Sequence, residues 1–277
     1  MFVTKELSIK ILAQKKNKTT HGIDGLITYK SPLEDSTLDI GVISSKFIGG
    51  EYPKYPSTNF KSHIKDLSST LECFNYSREK SNINQNFTGV NKTDIFGILV
   101  WLSNTSPINF DLAPIVSNIQ ISSDLIFDKI ILLDNNKVNF LYESIYRTKE
   151  NFGISNVDFV YHNSGLNYTS IQENSFGKIF PLNYLYSDII PLRIENGQDI
   201  ELRIFINDDY FEEQFAQILT FAKHFDHLNS IAKTILYFKT YDSLINDNSI
   251  KQTLSNFPTY VLNENLLIKK FPSDFRN

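Results

Sequence analysis

Hydrophobic and polar positions alternate through three stretches near the start of the chain: residues 7–14 (LSIKILAQ), 23–30 (IDGLITYK) and 38–48 (LDIGVISSKFI). A period of two predicts β-strands, and the short spacers between them suit an antiparallel meander. The segment GGEYPKYPS, residues 49–57, breaks the pattern with two prolines. Beyond it the period becomes helical. Phe60, Ile64, Leu67, Leu71 and Phe74 form one apolar face, with Ser57 or Thr58 placed to cap the helix. The polar stretch 77–93 reads as loop. Residues 94–103 (DIFGILVWLS) then predict a strand buried on both faces.

Residues 107–119 suit a short helix limited by Pro114. Residues 126–134 and 137–145 predict a hairpin turning at Asn135 and Asn136. The expected order over residues 7–146 is β-β-β-α-β-α-β-β. From residue 147 the character shifts. An irregular stretch with short strands (156–195) precedes a strand at 199–207 and an amphipathic helix at 208–226 built on Phe211, Phe215, Ile218, Ala222 and Phe225. A strand at 234–239, a helix near 248–256 and a strand at 259–269 complete it. The pattern predicts an α/β protein with a core over residues 1–146 and a smaller α/β lobe over 147–277, used for assembly or substrate contact.

With 277 residues, 41% hydrophobic and 13% aromatic, the chain can bury a sizeable core. The start alternates charged and apolar residues without a secretory h-region, and no apolar run approaches the length of a membrane span, so a cytoplasmic protein is expected. The lone Cys73 excludes an intramolecular disulfide and a cysteine zinc site. A net charge of −4 argues against a free-standing, non-specific DNA binder, while leaving room for a local basic patch or a partner's positive surface.

Asp24 in HGIDGLITYK and Lys46 in LDIGVISSKF stand on consecutive predicted strands. Alternation puts Val42, Ser44 and Lys46 on one face, and antiparallel pairing would bring Asp24 to the same end. A carboxylate beside an ammonium suits phosphodiester hydrolysis: the first can hold Mg²⁺, and the second can orient water or offset charge on the phosphorane. At these residues the chain resembles the PD-(D/E)XK superfamily of restriction-endonuclease-like nucleases, especially the Mrr-like branch. The resemblance covers residues 21–146. It implies a restriction-endonuclease-like core, with Asp24 as the metal aspartate and Lys46 as the catalytic lysine. The residue two before the lysine should then be acidic or Gln, and here it is Ser44. A displaced acid would have to complete the site. Glu72 is the first candidate and Glu51 the second, with Asp66 and Glu6 also nearby in sequence.

The runs YPSTNFKSHIKDLSSTLECF, DIFGILVWLSN and FPLNYLYSDIIPLRI are also similar to nuclease subunits of two-component bacterial anti-phage defence systems. This similarity implies DNA cleavage alongside a second protein subunit; a homo-oligomer is the other arrangement expected. The expected function is Mg²⁺-dependent DNA hydrolysis, with Mn²⁺ as a substitute. The alternative is an impaired nuclease-fold module for nucleic-acid binding or assembly. Lys15, Lys16 and Lys18 form a short basic run, read either as a solvated loop or as a phosphate-tracking one. His21 reads as a turn residue. His224 and His227 have helical metal-ligand spacing but lack a third ligand by motif.

Overall fold

A computed structural model describes residues 7–10, 20–162, 165–166, 175–225, 233–255 and 266–270, with backbone alone at 7–10, 20–21 and 221–225. The chain divides into two compact units, Met1–Asn139 and Phe140–Asn277. Both are α/β.

In the first unit, β1 (Leu7–Lys10) and β2 (Thr20–Ile23) pair antiparallel as a separate ribbon. The main sheet holds β3 (Gly25–Lys30), β4 (Thr37–Ile48), β5 (Lys92–Ser103) and β6 (Lys129–Leu133), in that spatial order. Thus β1 does not continue the main sheet as a meander. β3 runs antiparallel to β4, whereas β4–β5 and β5–β6 are parallel. Parallel neighbours need a crossover, and α1 (Ser57–Asn75) supplies it between β4 and β5. Its apolar stripe, Ile64, Leu67, Leu71 and Phe74, is buried with Leu38, Ile40 and Val42 of β4 and with Leu99 and Trp101 of β5. Helix and sheet approach closely at Gly97. A Cβ there would lie 2.9 Å from both Leu71 and Ile130 side chains, so the helix sits where only glycine leaves room.

Three local expectations change. No side chain caps α1: the residue before it is Pro56, and Ser57 is already helical. The stretch read as loop after α1 contains α2 (Arg78–Asn86), capped by Ser77, whose hydroxyl accepts the Lys80 N–H at 3.1 Å. Only Ile83 of that helix is buried, so its sequence carries almost no periodic signal. The helix expected over 107–119 shrinks to α3 (Ala113–Val116).

The hairpin at Asn135–Asn136 is replaced by a helix start. After β6 the chain enters α4 (Asn135–Leu141), a π-helical turn (Tyr142–Tyr146) and α5 (Arg147–Phe152). The Asp134 carboxylate accepts the N–H of Lys137 at 2.9 Å and that of Leu112 at 2.6 Å, which is N-cap chemistry and not turn chemistry. An Asp or Asn before an apolar run serves either role, so sequence alone could not separate them.

The second unit is a six-stranded mixed sheet in the order β12-β11-β10-β9-β7-β8. Its strands are β7 (Val157–Val160), β8 (Phe176–Gly177), β9 (Ile189–Asn196), β10 (Asp199–Ile206), β11 (Lys233–Phe238) and β12 (Leu266–Lys270). β9 and β10 form a hairpin turning at Gly197, whose φ of 68° lies in the left-handed region that favours glycine. α6 (Glu212–Phe225) links β10 to its parallel neighbour β11, and α7 (Ser243–Ser255) links β11 to β12. Phe215 and Ile218 are buried in this core, but Phe211 precedes the helix and is exposed. The Ala222 and Phe225 side chains lie outside the described residues. Among those residues no helix is long and apolar enough to cross a membrane.

Candidate active site

Asp24 occupies the bend between β2 and β3. Its N–H donates to the Ile43 carbonyl at 3.1 Å, and its Oδ2 accepts the Ser45 N–H at 2.5 Å. The last backbone pair is Gly25 with Ile43, so one further step of the register sets Asp24 opposite Ser44. The carboxylate thereby stands in for a ladder carbonyl, and a charged acceptor makes that bond stronger than a neutral one. Asp24 is exposed and Ser44 half-buried.

Lys46 lies two residues beyond Ser44, on the side of β4 that faces α1, since Leu38, Ile40 and Val42 of the same parity pack on that helix. Phe47 points the other way and is exposed. Lys46 stands in parallel register with Trp101 of β5, which is fully buried. The ring of His63, in the second turn of α1, meets Trp101 edge-on at 4.8 Å and 85°. Burial holds the His63 imidazole below its ordinary value, and the Lys46 charge pushes it further down, while Asp66 opposes both.

The connection from β4 to α1 is pinned at this same end. Ser103 Oγ donates to the Gly50 carbonyl at 2.7 Å, and Tyr52 N–H donates to Ser106 Oγ at 2.9 Å. The Tyr52 hydroxyl donates to the Trp101 carbonyl at 2.6 Å, and burial raises its ionisation above the ordinary phenol range. Glu51, between two anchored residues, is exposed where β4 and β5 end.

Residues 3–137 match the family model described as the GAPS4 protein PD-(D/E)XK nuclease domain. This match supports the PD-(D/E)XK nuclease superfamily for the N-terminal part of the chain. No match was found among curated proteins or among solved structures. The resemblance carried by Asp24 and Lys46 is therefore borne out at the level of family and α/β fold, and the family carries the name of a defence system.

Within this nuclease domain the expected site residues separate. Asp24, in the bend before β3, falls opposite Ser44 of β4, and Lys46 lies two residues further along β4. Glu72 does not join them. It is nine residues after His63, hence about half a turn out of phase and roughly 13 Å further along the helix, and it is exposed. Asp66, one turn after His63, is the α1 carboxylate whose charge reaches this end of the sheet. Cys73 is half-buried, with its thiol pushed up by burial and then by Glu72. Lys15, Lys16, Lys18, Glu6 and His227 lie outside the described residues, as do the side chains of His21 and His224. His63 was missed in the sequence. Its only signal is its place between Phe60 and Ile64, at the helix start that follows the motif strand.

PD-(D/E)XK nucleases typically use divalent ions. Among the described residues no group of three His, Cys, Asp or Glu side chains is arranged to hold a metal. Mg²⁺ usually keeps several waters and binds through one or two carboxylates plus substrate phosphates. The exposed, anchored carboxylate of Asp24 fits the lower limit of that requirement. Ser44 supplies a hydroxyl where a second carboxylate would make the site stronger.

A different acid group closes the other end of the β4–β5 pair. Asp39 and Asp94 are register partners. Lys92 Nζ lies 2.9 Å from Glu34 and 3.2 Å from Asp94. Asp39 is only 2% exposed, and its Oδ2 has no hydrogen-bond partner among the described residues. Desolvation lifts its carboxyl to about 6, with Ser31 opposing and Asp94 adding to the rise.

Proposed function

We propose that the nuclease domain hydrolyses DNA phosphodiester bonds with a divalent ion, Mg²⁺ or Mn²⁺, at the Asp24–Lys46 edge. It would do so as the nuclease component of a bacterial anti-phage defence complex, together with a second protein subunit or further copies of itself. The observation that carries this reading is the placement of an exposed carboxylate opposite Ser44, two residues along β4 from Lys46, with the carboxylate fixed on the Ser45 N–H. The family's name supports the defence setting.

Asp24 would hold the ion, which supplies charge neutralisation of the phosphate and an acidified water when bound. Lys46 would donate to a non-bridging phosphate oxygen and offset the charge that develops on it. Ser44 could only donate or accept a hydrogen bond. The second ligand position would therefore fall to the substrate itself or to Glu51, whose neighbours Gly50 and Tyr52 are anchored at the same end. The C-terminal unit would serve assembly or substrate contact, and Lys15, Lys16 and Lys18 would track phosphates.

Ser44 favours a second reading, a catalytically impaired module that binds nucleic acid or organises a complex. Incubating double-stranded DNA with the protein and Mg²⁺ or Mn²⁺, alone and with the neighbouring gene product, separates the two. Cleavage that chelation, Asp24→Ala and Lys46→Ala each abolish supports the enzyme. Binding without cleavage in every combination supports the module.

A further inference from the structure

We propose that His63 is the proton-accepting residue of this site, a role that rests on the nuclease reading above. Three elements meet there. β4 brings Lys46, β5 brings Trp101 in register beside it, and the second turn of α1 brings His63 onto the Trp101 edge. The crossover starts from this end: β4 stops at Ile48, the connection is pinned at Gly50 and Tyr52, and α1 begins at Ser57. His63 is half-buried, so it is packed and oriented without being sealed.

The charged groups acting on the ring are Lys46 from β4 and Asp66 from its own helix; the β5 neighbour, Trp101, does not titrate. Burial and Lys46 outweigh Asp66, so the imidazole is held in its neutral form near pH 7 while Lys46 faces the same end of the sheet. One group can then take a proton while the other binds the phosphate oxygen. In the step, a water oxygen forms a bond to phosphorus and its proton passes to the free ring nitrogen of His63. The bond from phosphorus to the leaving nucleotide oxygen breaks, that oxygen takes a proton from solvent, and His63 returns its proton to solvent. Glu72, on the opposite side of α1, could not serve this role.

The test compares His63→Phe, which keeps a ring against Trp101 but has no nitrogen, with wild type and with Asp24→Ala and Lys46→Ala. His63→Phe should unfold at the wild-type temperature, cleave DNA about 10²-fold more slowly under single-turnover conditions, and lose the acidic limb of the pH–rate profile. By NMR titration, His63 in Lys46→Ala should titrate at higher pH than in wild type. Inactive Asp24→Ala and Lys46→Ala beside a His63→Phe variant with wild-type rate and pH profile would overturn the role of His63 alone. A wild type that cleaves nothing, or one whose cleavage survives Asp24→Ala and Lys46→Ala unchanged, would overturn the nuclease site and His63 with it. An unmoved His63 titration in Lys46→Ala would overturn the coupling on which the proposal stands.

Discussion

At one end the β4–β5 pair buries Asp39 beside Asp94; at the other it presents Lys46 in register with Trp101, with Asp24 in the bend that leads into β3. The buried end holds a carboxyl that desolvation lifts to about 6. The other end holds the exposed carboxylate, the lysine and the histidine. Perturbed ionisation is a common mark of active sites, but burial inside a structural ion-pair network perturbs it equally well. Access is what distinguishes the proposed site from the buried end. Asp39 is closed over, with Glu34 and Asp94 engaged by Lys92, whereas Asp24 is open and fixed by a backbone N–H.

That contrast can be broken most severely at Trp101. Trp101→Ala removes the buried ring between Lys46 and His63 and should cost about 3–5 kcal/mol of stability, read from urea unfolding of the whole chain. Lys46→Ala should leave the unfolding midpoint in place while cleavage falls about 10²–10³-fold, a separation of activity from stability that Trp101→Ala will not show.

The buried end should respond in the opposite sense. Asp39 has a folded-state value near 6 against an ordinary 3.8. The folded state therefore binds the proton more tightly than the unfolded one. The contribution to stability is full below about pH 4, falls as pH rises towards 6, and is flat above. Asp39→Asn should remove that fall and stabilise the protein at pH 7 by on the order of 2 kcal/mol, with cleavage unchanged. Glu72→Ala should have the smallest effect, leaving cleavage within about twofold and stability within about 0.5 kcal/mol.

Much of the nuclease core was legible because its signals are periodic. The α1 stripe and the apolar run of β5 mark a crossover helix and a strand buried on both faces. Asp24 and Lys46 were legible because strand alternation converts spacing into facing. What stayed hidden depended on partners far along the chain. Asp39 meets Asp94 only through parallel register, and His63 meets Lys46 only after α1 folds back over the sheet. Asp134 acts as a cap because Leu112 and Lys137 offer it N–H groups, a fact no local pattern carries. Flanking an apolar face does not say which flank: Glu72, nine residues from His63, falls on the other side of α1 from it.

The most direct measurement is a side-by-side single-turnover cleavage of one DNA duplex, with Mg²⁺, by wild type, Lys46→Ala and Asp39→Asn. The expected result is cleavage by wild type and Asp39→Asn at matching rates and its near-abolition in Lys46→Ala. Cleavage by Lys46→Ala at the wild-type rate, or its loss in a folded Asp39→Asn, would contradict the assignment of catalysis to the Asp24–Lys46 end.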